Sequence, residues 1–384
     1  MLPFVRMFDY GNEAPVPVGI KMVKVLQNNV FILLEDGSLY GRGHNFYYQL
    51  GTGSSSPTIV EEWVLCLTDV KEFWTTGDTQ GILVRKNDGT WWSTGTQIYR
   101  GVNTTYRVWT EILGIFNNVN DTYSKIVIGN GVTLLLTIDN KLYKMGDNNN
   151  GEVFTGAVGQ RVSVLTLTPE VDVKDIGVTA NNASFVLYND GTLKYSGNKS
   201  SIGSTGTTST TTTLTTVTTG VLQINSENAY SANYVLKSDG LYVFGSQIDG
   251  QLGDGTDGTI NSLRTITKIP ASSIPSTAID YIGGSNYEAH VRAGGIWYFA
   301  GRGNASGDGI TNSNVIKTWR ACTNITEPVP YDKMTHGYMI TFMLKNGELY
   351  GSGNGSRTAG MGTIPYEEEN AGNTGLFKKI VTPS

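Results

Sequence analysis

A short hairpin pattern occurs seven times in the sequence, and this repeat limits the folds open to the chain. Its clearest copy is residues 235–245, where two apolar β-forming stretches flank Ser238-Asp239-Gly240. Asp-Gly between β-formers is a strong hairpin signal, because a two-residue turn needs a positive φ that glycine adopts without strain. The seven turns centre on residues 37, 89, 140, 191, 240, 294 and 347. Their spacing of 49 to 54 residues is typical of propellers, solenoids and repeat arrays.

Two sets of glycines accompany the hairpins. The predicted turn glycines are Gly37, Gly89, Gly191, Gly240, Gly294 and Gly347. A second set, which we call the closing glycines, follows the second hairpin strand: Gly43, Gly95, Gly146, Gly197, Gly245, Gly301 and Gly353. Glycine at such positions indicates a sharp bend or a close approach of two backbones.

Each unit reads as strand, strand, tight turn, strand, glycine-rich loop and fourth strand. Four antiparallel strands in each of seven units predict an all-β, seven-bladed β-propeller over residues 21–384. Residues 1–20 lack the repeat and are expected to form an N-terminal arm. The alternative, a β-solenoid, has rungs of about 20 to 30 residues and would not show a hairpin only once every fifty or so positions.

The C-terminal residues 376–381 resemble the first strand of a further unit but have no hairpin after them. A ring of sheets must seal its first blade to its last, and shared strands remove exposed edges. We therefore expect residues 376–381 to complete the blade begun near the N-terminus, so that the N- and C-terminal regions share strands.

Two units carry a longer motif. Residues 39–53 read Leu-Tyr-Gly-Arg-Gly-His-Asn-Phe-Tyr-Tyr-Gln-Leu-Gly-Thr-Gly, and residues 241–255 match the same pattern. This string resembles the repeat of the regulator of chromosome condensation (RCC1-like) family. The resemblance covers residues 21–384 at the level of architecture and implies a seven-bladed ring whose loops bind other proteins. It does not extend to the histidine that the family carries before Asp-Gly, or to the loops that nuclear members use on their small GTPase.

The composition argues against several kinds of partner. A net charge of −5 over 384 residues speaks against binding to nucleic acid or to an anionic membrane. No apolar run is long enough to span a bilayer, so membrane insertion is not expected. The two cysteines, Cys66 and Cys322, are far apart in sequence, and we expect free thiols rather than a disulfide.

No motif indicates catalysis, a metal or a cofactor. His44, His290 and His336 have no partner at the spacing that a zinc site requires. The acidic loop at residues 147–152 has glycine at its fifth position, whereas a calcium-binding EF-hand loop needs it at the sixth. We therefore expect a non-enzymatic protein with no cofactor and no metal.

Aromatic residues in loops give the only positive signal for a binding site. Phe46, Tyr47 and Tyr48 stand where the repeat usually has small residues. The full set of candidate partner-binding residues is Phe46, Tyr47, Tyr48, Trp63, Tyr99, Tyr106 and Trp109. Aromatic side chains are enriched in protein interfaces, because they offer large contact area with few rotatable bonds. The alternative is that these rings fill gaps between adjacent blades.

These signals favour a non-catalytic protein–protein interaction or structural module. The scarcity of cysteine, the richness in Gly, Thr and Asn, and the diverged repeats are typical of a bacteriophage virion protein. Such a decoration, collar or tail-associated component would contact other virion proteins or a host-surface receptor, and would be located in the virion. The alternative is a soluble propeller, cytoplasmic or secreted, that binds and inhibits or regulates a partner protein.

Overall fold

The computed structural model describes most of the chain as β-structure. The described residues are 19–25, 29–75, 80–100, 102, 104–116, 119, 123–204, 209–225, 232–247, 249–256, 262–285, 287–311, 314–325, 333–337, 340–353 and 375–383. Within these ranges there are 28 strands and three short 3₁₀ helices (Ile98–Arg100, Lys199–Ile202 and Gly303–Ala305). The same ranges contain no helix that is both long and apolar enough to cross a membrane.

The strands group into seven four-stranded sheets. Blade one contains β1 (Ile20–Val25), β2 (Asn29–Leu34), β3 (Leu39–His44) and β4 (Ile59–Leu67). Blade two contains β5 (Val70–Thr75), β6 (Gly81–Lys86), β7 (Trp91–Thr96) and β8 (Thr105–Glu111). Blade three contains β9 (Tyr123–Ile128), β10 (Val132–Thr137), β11 (Leu142–Gly146) and β12 (Val162–Leu167). Blade four contains β13 (Val173–Thr179), β14 (Ala183–Tyr188), β15 (Leu193–Asn198) and β16 (Thr210–Thr218).

The last three blades follow the same plan. Blade five contains β17 (Val221–Asn225), β18 (Ala232–Lys237), β19 (Gly240–Gln247) and β20 (Ser262–Lys268). Blade six contains β21 (Ile279–Gly284), β22 (Glu288–Ala293), β23 (Ile296–Arg302) and β24 (Val315–Ala321). Blade seven contains β25 (Lys333–His336), β26 (Ile340–Lys345), β27 (Glu348–Gly353) and β28 (Lys378–Lys379). The predicted all-β, seven-bladed propeller is thus confirmed.

Each blade is an antiparallel meander whose first strand lies nearest the ring axis. The four strands pair in chain order, and the first strands of neighbouring blades contact one another around the ring. The fourth strands are outermost, and no residue of β4, for example, is buried. Loops after the first and third strands therefore emerge on one face, which we call the loop face. Hairpin turns and blade-to-blade connections lie on the opposite turn face.

The hydrophobic core lies between adjacent blades. Phe31 and Leu33 of blade one, for example, pack against Val70, Phe73 and Val84 of blade two. Because each blade is covered on both sides, its second strand is buried along its whole length, as in β2 and β10. These strands accordingly lack the alternation of a half-exposed strand, and buried polar residues such as Asn29 and Thr133 stand among the apolar ones.

The hairpin turns differ between blades, and in blade five the two-residue turn is Ser238-Asp239, with Gly240 already in β19. In blade one the Leu34 N–H donates to Ser38 O (2.9 Å), which leaves a three-residue loop with Gly37 at φ +86°. Blades six and seven have the predicted two-residue turn, in which both residues have positive φ, as at Asn346 (+53°) and Gly347 (+78°). Blades two, three and four repeat this hydrogen bond, so the expectation of two-residue turns throughout was wrong for blades one to four. An Asp-Gly sequence is equally compatible with a three-residue loop, in which the glycine takes the left-handed position.

The C-terminal strand belongs to blade seven and not to blade one. Lys378 and Lys379 pair with Gly351 and Tyr350 of β27. No strand among the described residues is shared between the two ends of the chain, so the predicted mode of closure was wrong. Residues 354–377 separate β27 from β28, a longer interval than between the third and fourth strands of any other blade. This insertion placed the last strand out of phase with the repeat.

Blade seven instead packs on blade one by the contact used elsewhere in the ring. The Ile20 N–H donates to Gly347 O (2.9 Å), as the Val70 N–H does to Gly37 O (2.9 Å) and the Val221 N–H to Gly191 O (2.9 Å). A shared core that includes Val23, Ile32, Phe342, Leu344 and Ile380 lies between the two blades. The ring is therefore sealed by side-by-side packing.

Two smaller expectations concern the chain ends and the thiols. The predicted arm at residues 1–20 lies outside the described residues except for Gly19 and Ile20, and Ile20 already begins β1. Cys66 and Cys322 are free thiols, as expected.

Candidate protein-contact site

The loop between β3 and β4 presents three aromatic residues on the loop face of blade one. Asn45 Oδ1 accepts a hydrogen bond from the Leu50 N–H (3.1 Å), and Gln49 Oε1 accepts one from the Tyr47 N–H (3.0 Å). Both amide side chains are buried, so they fix the loop backbone from inside. Phe46 is 55% exposed, and Tyr47 is half-buried. The loop is thus held in place while its rings face solvent.

Phe46 and Tyr47 form an aromatic cluster with His44. The Phe46 and Tyr47 rings meet edge to face at 5.0 Å between centroids, and the His44 ring centroid lies 6.1 Å from each. His44 Nδ1 lies 3.3 Å from Gln49 Nε2, which is a donor, so Nδ1 is the acceptor of this pair. Partial burial lowers the pKa of His44. The cluster is therefore uncharged at neutral pH.

Blade two extends this surface through β8. The Arg107 guanidinium lies 5.3 Å from the centroid of the Tyr48 ring, within cation–π range. Thr52 and Val108 form a β-bridge, and Val108 is 53% exposed. We call the surface formed by Phe46, Tyr47, Tyr48, Arg107 and Val108 the aromatic patch. Aromatic and arginine side chains are the types that dominate binding energy at protein interfaces.

The other four predicted contact residues lie elsewhere. Tyr99 is fully buried in the core between blades two and three, so it is not part of a surface site in this structure. Trp63 is half-buried, and its Nε1–H donates to Val381 O (2.8 Å) at the closure of the ring. Tyr106 is half-buried in β8, opposite Gly95. Trp109 is half-buried beside Gly51 of blade one.

Trp109 shows why the Gln-Leu-Gly motif ends in glycine. A Cβ on Gly51 would lie 2.4 Å from the Trp109 indole nitrogen, so only glycine leaves room for this ring. Gly253 and Trp319 repeat the arrangement between blades five and six, with the corresponding distance at 2.3 Å. Trp109 therefore fills a gap between blades one and two, and Trp63 fills one at the ring closure, as in the alternative considered for the aromatic residues.

A pair of buried histidines lies between blades six and seven. His290 Nε2 is 2.9 Å from the carbonyl oxygen of Ser306 and must donate to it, so His290 Nδ1 accepts from His336 Nε2 at 3.0 Å. Burial lowers the pKa of His290 to about 4 and that of His336 well below its usual value. The pair is therefore neutral at pH 7. The sequence does not show that these two histidines form a pair, because they lie 46 residues apart, in adjacent blades.

Glu288 is a buried acid between blades five and six. Its side chain is fully buried, and neither carboxylate oxygen makes a hydrogen bond of good geometry among the described residues, although Ser285 and Arg302 are close enough to offset part of the effect of burial on its pKa. Burial raises the pKa of Glu288 well above its usual value. Glu288 pairs with the closing glycine Gly301. The equivalent residues in the other blades are Asn29, Gly81, Val132, Ala183, Ala232 and Ile340.

The chemistry of the aromatic patch suits contact. It has exposed rings and one guanidinium, and no nucleophile stands beside a base within it. Across the described residues, no three His, Cys, Asp or Glu side chains are grouped so as to hold a metal ion. Arg107 and Val108 were not identified from sequence, because their approach to the blade-one loop depends on the packing of two blades.

Comparisons with known proteins support the fold. No protein-family model matches the chain, and neither does any curated protein sequence. Human WBSCR16 is similar in structure, with a TM-score of 0.66 and 17% identity over 84% of this chain and 85% of that one. Prp20p from Saccharomyces cerevisiae gives a TM-score of 0.65 and 16% identity over 87% and 82% of the two chains. A structure of Kap60 bound to yeast RCC1 (Prp20) gives 0.65 and 15% over 87% and 80%.

At these identities the likeness concerns the fold, and it agrees with the seven meander blades and with the motif at residues 39–53. The chain therefore has the seven-bladed propeller fold of the regulator of chromosome condensation (RCC1-like) family.

Proposed function

We propose that this chain is a non-catalytic protein-interaction module that binds a partner protein through the aromatic patch. The observation that carries the proposal is the exposure of Phe46 on a loop that Asn45 and Gln49 hold rigid from inside. Rigid exposed aromatic rings lose little entropy when a partner covers them. Arg107 and Tyr48 supply a cationic and an aromatic contact beside the ring cluster.

Structures with this fold give the proposal context. The published description of Prp20p refers to its binding to Gsp1p and histones, and the second yeast structure contains Kap60 bound to yeast RCC1 (Prp20). Those proteins bind other proteins. For the present chain we propose only that it binds another protein, and we do not propose any of these partners.

The composition extends the proposal to a biological setting. Few cysteines, many Gly, Thr and Asn residues, and diverged repeats support a bacteriophage virion component that contacts virion proteins or a host-surface receptor. The alternative is a soluble regulator or inhibitor, cytoplasmic or secreted, that forms a complex with one partner. Both settings use the same surface and differ in the size and symmetry of the complex.

Site-specific crosslinking tests the proposed surface. A photoreactive phenylalanine analogue placed at Phe46 should crosslink a partner from the source organism. The same analogue at Ile138, which is 69% exposed on the turn face, should not. The double variant Phe46→Ser, Tyr47→Ser should lose the partner in size-exclusion chromatography, whereas Ile138→Ser should retain it. Equal crosslinking at both positions, or a double variant that still binds, would contradict the assignment.

Electron microscopy of the crosslinked material separates the two settings. A symmetric particle supports the virion component, and a discrete soluble complex supports the regulator. Turnover of a substrate by the purified chain would contradict the non-catalytic assignment.

A further inference from the structure

The loop-face mouth of the central channel contains a cavity that the aromatic patch does not include. It is lined by Lys24, Trp74, Thr75, Ile126, Val127, Ile128 and Val178. These residues come from the first strands of blades one to four, near the ends that reach the loop face. The space is about 310 Å³, including the part open to solvent. Its enclosed part is small, so only the tip of a side chain, such as a carboxylate, fits inside, and the rest of a ligand would lie over the open mouth.

The polar groups at this mouth can donate hydrogen bonds, and none of the described residues that line it is a carboxylate. The donors are the Lys24 ammonium, the Trp74 indole N–H and the Thr75 hydroxyl. The Trp74 ring is held by stacking on Trp91 at 5.5 Å and by an edge contact with Tyr123 at 5.9 Å. The remaining wall is apolar. Such a site suits a ligand that carries a negative group beside an apolar one.

The charge of the channel wall has the same sign. The described side chains of the seven first strands include five lysines, namely Lys21, Lys24, Lys71, Lys125 and Lys174. They include three carboxylates, Glu72, Asp175 and Asp280, and each of these already has a partner. Glu72 accepts from Tyr123 Oη, Asp175 pairs with Lys125 (2.9 Å), and Asp280 pairs with Arg292.

The described side chains of the first strands thus carry a net charge of +2, five lysines against three carboxylates, in a chain whose net charge is −5. Clefts lined by one sign of charge concentrate the field and attract ligands of the opposite sign. The apolar wall disfavours a small hydrated anion, which would lose its water there without compensation.

We infer that this mouth binds an acidic segment of a partner protein, with a carboxylate at Lys24 and a neighbouring apolar side chain on Trp74. The inference rests on the proposed function and deepens it, since the mouth and the aromatic patch lie on the same face. A partner bound to the rim at the patch is positioned to insert a loop or terminus at the centre.

Fluorescence anisotropy with a defined probe tests the inference on the full chain. The probe is a short fluorescein-labelled peptide of alternating glutamate and leucine, and the control peptide has lysine in place of glutamate. We expect the acidic peptide to bind and the basic peptide not to bind. Lys24→Glu should raise Kd by about tenfold or more, and Lys24→Gln should raise it by a smaller factor.

Lys199→Glu is the matched control. Lys199 is also half-buried on the loop face, but it lies in the outer loop of blade four, so its Kd should stay within about twofold of wild type. Circular dichroism and thermal unfolding would verify that each variant is folded.

Three outcomes would overturn the inference: equal binding of the basic peptide, an unchanged Kd in both Lys24 variants, or a loss confined to the Phe46→Ser, Tyr47→Ser variant. Because crosslinking at Phe46 does not use the peptide, a failed peptide test with successful crosslinking removes the channel site alone. Failed crosslinking with Lys24-dependent peptide binding would remove the aromatic patch alone.

Discussion

Glu288 stands beside a closing glycine, a position that holds a neutral residue in the other six blades. A buried carboxyl group whose nearby donors do not compensate for burial has to lose its charge or remain poorly solvated, and both destabilise the fold at neutral pH. Natural chains keep such residues mainly where function requires them. Glu288 therefore marks a property particular to blade six, whereas the glycines that recur in every blade report only the common fold.

Replacing Glu288 by glutamine should stabilise the protein at pH 7 to 8. Burial raises the pKa of Glu288 in the folded state above its unfolded value, so the stability it contributes is fully present below the unfolded pKa and is lost as pH rises. Glu288→Gln should accordingly raise Tm at pH 8, and this gain should shrink towards pH 4. Thermal unfolding across that range measures the effect. Glu111→Gln, at an exposed position, should leave Tm nearly unchanged.

The histidine pair predicts acid sensitivity. The pKa of His290, about 4 in the folded state, lies below the unfolded value of about 6.5. Stability is therefore fully present above pH 6.5 and falls as the pH drops towards 4, by about 3 kcal/mol for this residue alone. Chemical denaturation at several pH values measures this loss.

The double variant His290→Phe, His336→Val is the control for this prediction. These substitutions introduce the residues that blade one has at the equivalent positions, Phe31 for His290 and Val25 for His336. The difference in unfolding free energy between wild type and this variant should depend on pH only below about pH 6.5. A constant difference over the whole range would contradict the assignment.

At the level of elements, the hairpin turns depend on glycine for two separate reasons. Gly37 has φ +86°, and a Cβ there would also lie 3.2 Å from the Val70 N–H. The carbonyl oxygen of Gly37 accepts the hydrogen bond from that same group, which links blade one to blade two. Conformation and packing therefore both select glycine.

Gly37→Ala should separate these two contributions when compared with Gly114→Ala. Gly114 has φ +77° with nothing within 4 Å of an added Cβ, so it carries the conformational cost alone, about 1 kcal/mol. Gly37→Ala should lose more, about 2 kcal/mol or above, because the contact with Val70 must also shift. Urea unfolding measures both variants, and equal losses would argue against a role for the inter-blade contact.

The hairpins were predictable because their signal is local, whereas several other features were not. Asp-Gly turns and apolar strands report directly on the backbone, and they placed all seven units correctly. The burial of Tyr99 depends on the neighbouring blade, which no local pattern shows. His290 and His336 are 46 residues apart, close to one repeat, and become visible as a pair only when the ring brings adjacent blades together.

At the scale of the whole molecule, closure depends on the outermost strand of blade seven. Ile380 is 2% exposed within the core shared by blades one and seven, and it directly follows β28. The Ile380 side chain therefore contributes to closure, although the preceding strand β28, which was predicted to join blade one, pairs with β27 of blade seven. The repeat predicted that a seal must exist but could not predict which blade supplied the strand.

Ile380→Ala should weaken this seal. Loss of a buried isoleucine side chain costs about 2 to 5 kcal/mol, and protection from hydrogen exchange should fall most in blades one and seven. Val381→Ala, at a position that is 49% exposed, should have little effect. Uniform loss of protection around the ring would instead indicate that the blades unfold as one unit.

Each blade is built from consecutive strands in the part of the chain that the structure describes, so the seam between β28 and β1 is equivalent to the other blade junctions. Elsewhere in the ring, 2 to 11 residues connect the outer strand of one blade to the inner strand of the next, with the shortest connections at Leu67–Val70 and Thr218–Val221. The strands β28 and β1 occupy the same two places across the seam. A shortened chain in which a linker joins the residue after Ile380 to Gly19 should therefore fold when it is opened between two other blades. Circular permutants of this kind would place a fusion partner at a chosen blade on the turn face, away from the proposed contact surface.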